Sequence, residues 1–314
     1  MIWRNITSVN EFIFLGLTSN PQIEAIIFPI ILAMYIITLL ANFFIFVATI
    51  TESSLHTPMY FFITNLAFID ICYSTTISPR MLKDLMSQNK TISFGECLGQ
   101  MFIGLSLANA ECILLPVMAY DRYMAICYPL HYTSILTRHV CIRLVSGAWI
   151  CGCVFAIFMV TIIFNLPMCG NNKINHFICE PPEVLALVCV DLVFLQYAIF
   201  FLGLILLITP ITFVLASYIK IIQTILKISS TAGRKKAFST CSSHMIVVTL
   251  FYGMIMVSYL KPITVYAREQ DKMIAFVYTV ITPMLNPLIY TLRNKEFKAA
   301  LKNIYKKKMN LFFS

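Results

Sequence analysis

Seven long stretches of apolar residues constrain this chain more than any other feature of its sequence. They cover approximately residues 25–51, 57–80, 97–121, 140–165, 195–220, 237–260 and 273–292. A helix needs about 20 apolar residues to cross the hydrocarbon core of a bilayer, and each stretch approaches or exceeds that length. Because lipid offers backbone groups no hydrogen-bond partners, spanning segments must satisfy their own backbone bonds. The sequence therefore predicts an all-α membrane protein with a bundle of seven transmembrane helices.

The composition excludes a soluble globular domain. Of the 314 residues, 59% are hydrophobic and 12% are charged, whereas a soluble domain carries about 25% charged residues. The net charge of +9 does not indicate a nucleic-acid partner, because the basic residues fall between and after the apolar stretches. The first 23 residues lack the apolar core of a cleavable signal peptide, so the first span is expected to act as its own insertion signal.

Lysine and arginine predict the orientation. With the N-terminus outside, 15 of the 23 basic residues fall on the cytoplasmic side, as the positive-inside rule requires. We therefore expect residues 1–24 to be an extracellular N-terminus, 25–292 the seven-span domain, and 293–314 a cytoplasmic tail. Apolar side chains of this tail share one helical face: Phe297, Leu301, Ile304 and Tyr305. The tail thus reads as a short amphipathic helix on the inner leaflet, the alternative being a solvated basic segment.

N-glycosylation sequons and cysteines agree with this orientation. The sequons that begin at Asn5 and Asn89 both fall outside; Asn5 is the stronger candidate for N-glycosylation, since Asn89 lies closer to the membrane. Four cysteines also fall outside: Cys97, Cys169, Cys179 and Cys189. In an oxidising compartment these four are expected to form disulfides, and three pairings are open.

Few ionisable side chains lie within the spans, and each is costly there unless it has a function. Asp121 and Arg122 close the third span, where they can form a charge-assisted pair. Asp70 and Glu111 lie deep in the second and third spans, so each should pair, become protonated or bind a cation. His244 lies in the sixth span and is either a structural group or a switch.

Several motifs point to one family when they are taken together in chain order. They are Leu-His-Thr-Pro-Met-Tyr-Phe-Phe at 55–62, Met-Ala-Tyr-Asp-Arg-Tyr-Met-Ala-Ile-Cys at 118–127, Ser-Tyr at 217–218, Lys-Ala-Phe-Ser-Thr-Cys-Ser-Ser-His at 236–244 and Pro-Met-Leu-Asn-Pro-Leu-Ile-Tyr at 283–290. The chain resembles the odorant receptors, a branch of the rhodopsin-like G-protein-coupled receptors. Pro116 departs from the family pattern and can kink the third helix.

The resemblance implies a receptor in the plasma membrane that binds a small, mainly apolar odorant and activates a stimulatory, olfactory-type G protein, raising cyclic AMP. It also implies a trafficking chaperone as a partner and disulfides Cys97–Cys179 and Cys169–Cys189. The residues implied in coupling and activation are Asp121, Arg122, Tyr123, Tyr218, His244, Asn286, Pro287 and Tyr290. Asn286 and Pro287 would weaken the seventh helix locally and provide a hinge.

Two further sites follow from the resembled fold. Asn42 and Asn286 would lie near Asp70 and Glu111, giving either a Na⁺ site or a network of two protonated acids. The ligand pocket would be lined from the outer halves of the third, fifth, sixth and seventh helices by Gly104, Leu105, Ala108, Asn109, Cys112, Leu202, Gly203, Leu206, Ile255, Met256, Tyr259, Phe276 and Thr279. Amine receptors typically carry an Asp near the position of Gly104. No other cofactor is expected.

Other classes of membrane protein fit less well. A retinal-binding protein needs a lysine in the seventh span, and residues 273–292 contain none. A transporter or channel needs a richer polar pathway than two carboxylates and one histidine, and no nucleophile or metal motif indicates an enzyme. A rhodopsin-like receptor for another ligand remains the main alternative.

Overall fold

The seven apolar stretches form seven long helices in the computed structural model of the chain, which describes residues 10–168, 172–190, 193–259, 268–293 and 297–300. Within these residues, seven helices are long and apolar enough to cross a membrane. The spans are Pro21–Thr51, Pro58–Leu85, Phe94–Cys127, Arg138–Phe164, Val193–Leu226, Thr231–Tyr259 and a seventh built from Arg268–Phe276, Val277–Ile281 and Thr282–Arg293. The predicted seven-helix bundle is confirmed.

The first and third spans begin earlier than their apolar stretches because polar residues cap them. Asn20 accepts a hydrogen bond from the backbone N–H of Gln22 at 2.9 Å, and Pro21 occupies the first helical turn. Ser93 and Glu96 form a capping box that starts the third span three residues before Cys97. Such residues satisfy the free N–H groups of a first helical turn, and a search for apolar stretches misses them.

A small sheet joins three segments at the outer end of the bundle. Strand β1 (Glu11–Phe14) pairs antiparallel with β2 (Thr91–Ser93) and parallel with β3 (Lys173–Ile174). Phe12 and Phe14 point inward and are at most 2% exposed. The sheet therefore ties the N-terminal segment to the loops that follow the second and fourth spans.

The third span lies at the centre of the bundle and packs against the second, fourth, fifth and sixth spans. It is a continuous helix through Pro116. At Gly152 of the fourth span, an added Cβ would lie 2.4 Å from the backbone oxygen of Ser106, so glycine is required where these two helices meet. The bundle exposes large apolar side chains such as Phe44 and Ile205 on its outer face, as lipid contact requires.

The remaining elements are short. A one-turn helix, Tyr132–Ile135, follows the third span, and the loop helix Pro181–Leu185 follows the fourth. The seventh span contains a π-helical turn at Val277–Ile281, a type of distortion that is frequent at functional sites. Of the predicted C-terminal helix, residues 297–300 are helical; Leu301, Ile304 and Tyr305 lie outside the described residues, so that helix stays a prediction.

Candidate functional site

A cavity of about 230 Å³ lies in the outer half of the bundle between the third, fourth, fifth and sixth spans. Apolar side chains dominate its walls, and the loop helix Pro181–Leu185 closes one side. The predicted pocket residues that line it are Leu105, Ala108, Asn109, Cys112, Leu202, Gly203, Leu206 and Ile255. The fourth span contributes Phe155 and Met159, which the sequence prediction did not include.

The cavity carries few polar groups. The Asn109 amide donates to the Leu105 backbone oxygen of its own helix at 2.8 Å, which leaves its carbonyl oxygen for a ligand. Cys112 also lines the cavity, and its backbone oxygen accepts a hydrogen bond from the Tyr252 hydroxyl at 2.6 Å. Ser258 and Gln196 complete the polar lining. A mainly apolar ligand with one or two hydrogen-bonding groups matches these walls.

A second cavity of about 100 Å³ adjoins the first and shares Leu105, Ala108, Pro181 and Ile255 with it. Gly104, a predicted pocket residue, lines only this second cavity. Its polar wall residues include Gln100, Glu111, Glu180 and Tyr278. The Tyr278 hydroxyl donates a hydrogen bond to the Glu180 carboxylate.

The structure places three predicted pocket residues away from both cavities. Met256 is 40% exposed on the outer face of the sixth span. Phe276 packs in an apolar cluster with Ile31 and Ile77. The buried Thr279 hydroxyl donates to the backbone oxygen of Ala275 at 2.6 Å. The side chain of Tyr259 lies outside the described residues.

The polar residues of the second, third and seventh spans meet below the cavities. The Asn286 amide nitrogen lies 3.1 Å from Asp70 Oδ1 and 3.4 Å from Glu111 Oε1. Asn42 joins the first span to the seventh by donating to the Pro283 backbone oxygen at 3.2 Å. The side-chain oxygens of Asn42 and Asn286 are buried without a hydrogen-bond partner.

The contacts of Asp121 and Arg122, near the cytoplasmic end of the third span, differ in detail from the predicted charge-assisted pair. Arg122 Nε lies 3.7 Å from Asp121 Oδ2, close enough for attraction but too long for a hydrogen bond. The hydrogen bond to Asp121 comes instead from the Tyr132 hydroxyl, 2.7 Å from Oδ1. Burial and the Asp121 carboxylate raise the pKa of Tyr132, so its hydroxyl stays protonated. The Tyr123 ring packs edge-on against Tyr128.

His244 connects three spans near this end. Its Nδ1 lies 2.7 Å from the Tyr218 hydroxyl of the fifth span, and its Nε2 lies 3.2 Å from the Leu115 backbone oxygen of the third. Tyr290 is buried on the seventh span with its hydroxyl unbonded, one turn beyond Pro287. Sequence reasoning named these residues but neither Tyr132 nor the Leu115 contact.

A disulfide links Cys97 at the start of the third span to Cys179 in the loop after the fourth. The Cys179 backbone N–H also donates to the Gln100 side chain at 3.0 Å, so the loop is fixed over the cavities. Cys189 is disulfide-bonded as well; its expected partner Cys169 lies outside the described residues, as does Asn5. Asn89 is exposed, and glycosylation of either asparagine stays a prediction.

Comparison with known proteins decides the family. A sequence model of the olfactory receptors matches residues 31–308. The chain is 48% identical to human olfactory receptor 13F1 over 96% of its own length and 94% of that protein. It is 45% identical to mouse olfactory receptor 2B6 over 98% of both chains.

The chain belongs to the olfactory receptor family.

Membership of this family indicates which functions the cavities and the region around Arg122 serve. Olfactory receptors are multi-pass proteins of the plasma membrane that bind odorants and couple to G proteins, and they are not enzymes. In this olfactory receptor, the cavities of the outer half lie at one end of the third span and Arg122 lies at the other. The third span therefore connects the candidate ligand site to the candidate coupling site.

Proposed function

We propose that this olfactory receptor binds a small, mainly apolar, volatile odorant in the 230 Å³ cavity. The observation that carries the proposal is the lining, which is mainly apolar and offers a few hydrogen-bonding groups such as Asn109 and Ser258. Burying apolar surface supplies the binding free energy, and the polar groups orient the ligand.

The receptor then activates a stimulatory, olfactory-type G protein and raises cyclic AMP. Ligand binding shifts a two-state equilibrium to the extent that the ligand prefers one state. In the activated state Arg122 separates from Asp121 and lines a cavity for the C-terminal helix of the G protein. A trafficking chaperone assists delivery of the receptor to the cell surface.

A cavity-filling substitution tests the ligand site. Ala108 lines both cavities, so Ala108→Leu should lower the potency of an agonist about tenfold or more, since extra methylene groups in a filled space cost about 1–3 kcal/mol. Ala216→Leu is the matched control, because Ala216 is exposed on the fifth span. Equal potency in both variants and the wild type would place the ligand elsewhere.

We also propose that the network below the cavities holds Na⁺. Oxygen ligands suit a hard cation, and this network provides the carboxylates of Asp70 and Glu111. It also provides the side-chain oxygens of Asn42 and Asn286, which are buried without a donor. A bound cation would give these two oxygens a partner and offset the charge of the carboxylates. Two protonated acids are the alternative.

Thermal stability distinguishes these two states of the network. Na⁺ should raise the melting temperature of the purified receptor relative to K⁺ at equal ionic strength, since a ligand stabilises the state that binds it. Glu111→Gln should abolish the difference, and the basal signalling of this variant should no longer respond to Na⁺. A wild-type receptor with equal melting temperatures in both salts would favour the protonated acids.

A further inference from the structure

The smaller cavity contains a chemistry that the larger one lacks. Two carboxylates line this cavity of about 100 Å³. Glu180 comes from the loop after the fourth span, and Glu111 comes from the third span. About 10–15 Å³ of such space holds one water molecule, so a small polar head group fits. The adjoining apolar cavity can hold the rest of the same molecule, because the two cavities share four wall residues.

Glu180 is held firmly in this wall. The residue follows Cys179, whose disulfide to Cys97 and whose bond to Gln100 fix the backbone. The loop helix begins at Pro181, directly after it. The Tyr278 hydroxyl donates to its carboxylate from the seventh span. Within the described residues, no lysine or arginine forms an ion pair with Glu180.

We propose that the smaller cavity is a subsite for the ammonium group of an aliphatic amine, with Glu180 as its principal partner and the alkyl chain in the larger cavity. This inference rests on the proposed function, since it assigns a ligand class to the same site. Gly104 lines the smaller cavity without a side chain, which leaves the space that the head group occupies.

Electrostatics support this assignment. A buried carboxylate without a cationic partner is costly to ionise, and burial raises the pKa of Glu180 to about 7. The nearby carboxylates of Glu183 and Asp271 raise the pKa further, whereas the Tyr278 hydroxyl lowers it. An ammonium group placed beside Glu180 would favour the ionised carboxylate and form a charge-assisted hydrogen bond with it. Amine recognition would then come from the loop, not from position 104.

Paired ligands provide the test. Cells that express the full receptor are exposed to hexylamine and hexan-1-ol, and to octylamine and octan-1-ol, and cyclic AMP is measured with surface expression as a reference. The amine of each pair should be more potent than the alcohol by a ratio of about ten or more. This ratio is expected when a hydrogen bond gains a charged partner. Glu180→Gln should lower that ratio about tenfold, and Glu183→Gln, the same charge change one helical turn away, should not lower it.

Each outcome decides the proposal. An alcohol that equals or exceeds its amine in the wild type, or a ratio unchanged in Glu180→Gln, would overturn the amine subsite and leave the odorant cavity standing. If Glu180→Gln does not reach the surface, the wild-type ratio decides alone. A surface-expressed wild type that responds to neither amines nor a broad panel of neutral odorants would contradict the proposed function itself.

Discussion

Tyr132 donates a hydrogen bond to Asp121, with 2.7 Å between the hydroxyl oxygen and Oδ1. Asp121 lies in the last two turns of the third span and is fully buried, and Tyr132 begins the one-turn helix that follows. The bond therefore holds the one-turn helix against the third span at Asp121, next to Arg122. A buried carboxylate in this position depends on such a donor.

Tyr132→Phe should lower the thermal stability of the receptor. Loss of a hydrogen bond to a charged group costs about 1.5–3 kcal/mol, and we expect a fall of several degrees in the melting temperature of the purified protein. Tyr197→Phe serves as the control, because the Tyr197 side chain is largely exposed. Equal melting temperatures for the two variants would show that the Tyr132 hydroxyl contributes nothing.

Tyr218 and His244 should act as one unit. Each single variant, Tyr218→Phe and His244→Ala, should lower agonist potency in the cyclic-AMP assay, because the pair joins the fifth and sixth spans at 2.7 Å. The double variant should be no worse than His244→Ala, since the hydroxyl then has no ring to contact. A coupling free energy of about 1 kcal/mol is expected from this cycle. Additive effects, or a silent His244→Ala, would remove the proposed switch.

The disulfide between Cys97 and Cys179 should be required for folding. It closes a segment with a sequence separation of 82 residues, and loop-closure entropy assigns such a bridge about 4.5 kcal/mol. Cys97→Ser and Cys179→Ser should each remove most surface expression, measured by labelling intact cells, and the double variant should match the singles. Cys151→Ser should remain at the wild-type level, because Cys151 is a free, exposed cysteine. A single variant with wild-type surface expression would contradict this role.

The amine response should depend on external pH in a defined direction. Because the pKa of Glu180 is raised to about 7, its carboxylate is ionised above this pH and increasingly protonated below it. Protonation removes the charge that attracts the ammonium group, so amine potency should fall as the pH drops through about 7, while alcohol potency changes little. Dose–response curves at several pH values measure this. Parallel shifts for amines and alcohols would indicate a general effect on the receptor.

The seven spans and the network around Asp70 could be predicted because their signals are strong in the sequence. Apolar length alone marks a span, and a carboxylate within a span needs partners, which here include Asn286. The resemblance named both His244 and Tyr218 among the activation residues, and the structure joins them by a hydrogen bond. These features depend on residues whose chemistry is unusual in a membrane.

Other parts of the site could not be predicted, because ordinary residues form them through tertiary contacts. Tyr132 lies in the short connection after the third span, and its link to Asp121 depends on the direction in which the chain leaves that span. From the sequence, Glu180 would be interpreted as an exposed loop carboxylate. It lines a cavity because the disulfide of the preceding residue, Cys179, holds the loop over the bundle. The π-helical turn at Val277–Ile281 has no glycine or proline to mark it, and strand β1 is short and pairs with distant segments.

Cyclic-AMP accumulation in cells that co-express this receptor and a trafficking chaperone measures whether an odorant activates the receptor and its G protein. The cells are screened against a broad odorant panel, with Arg122→Ala as the paired variant and surface labelling of both. We expect a dose-dependent response in the wild type that Arg122→Ala loses while it remains at the surface. A full response in Arg122→Ala, or silence of the surface-expressed wild type across the panel, would overturn odorant-driven coupling through Arg122.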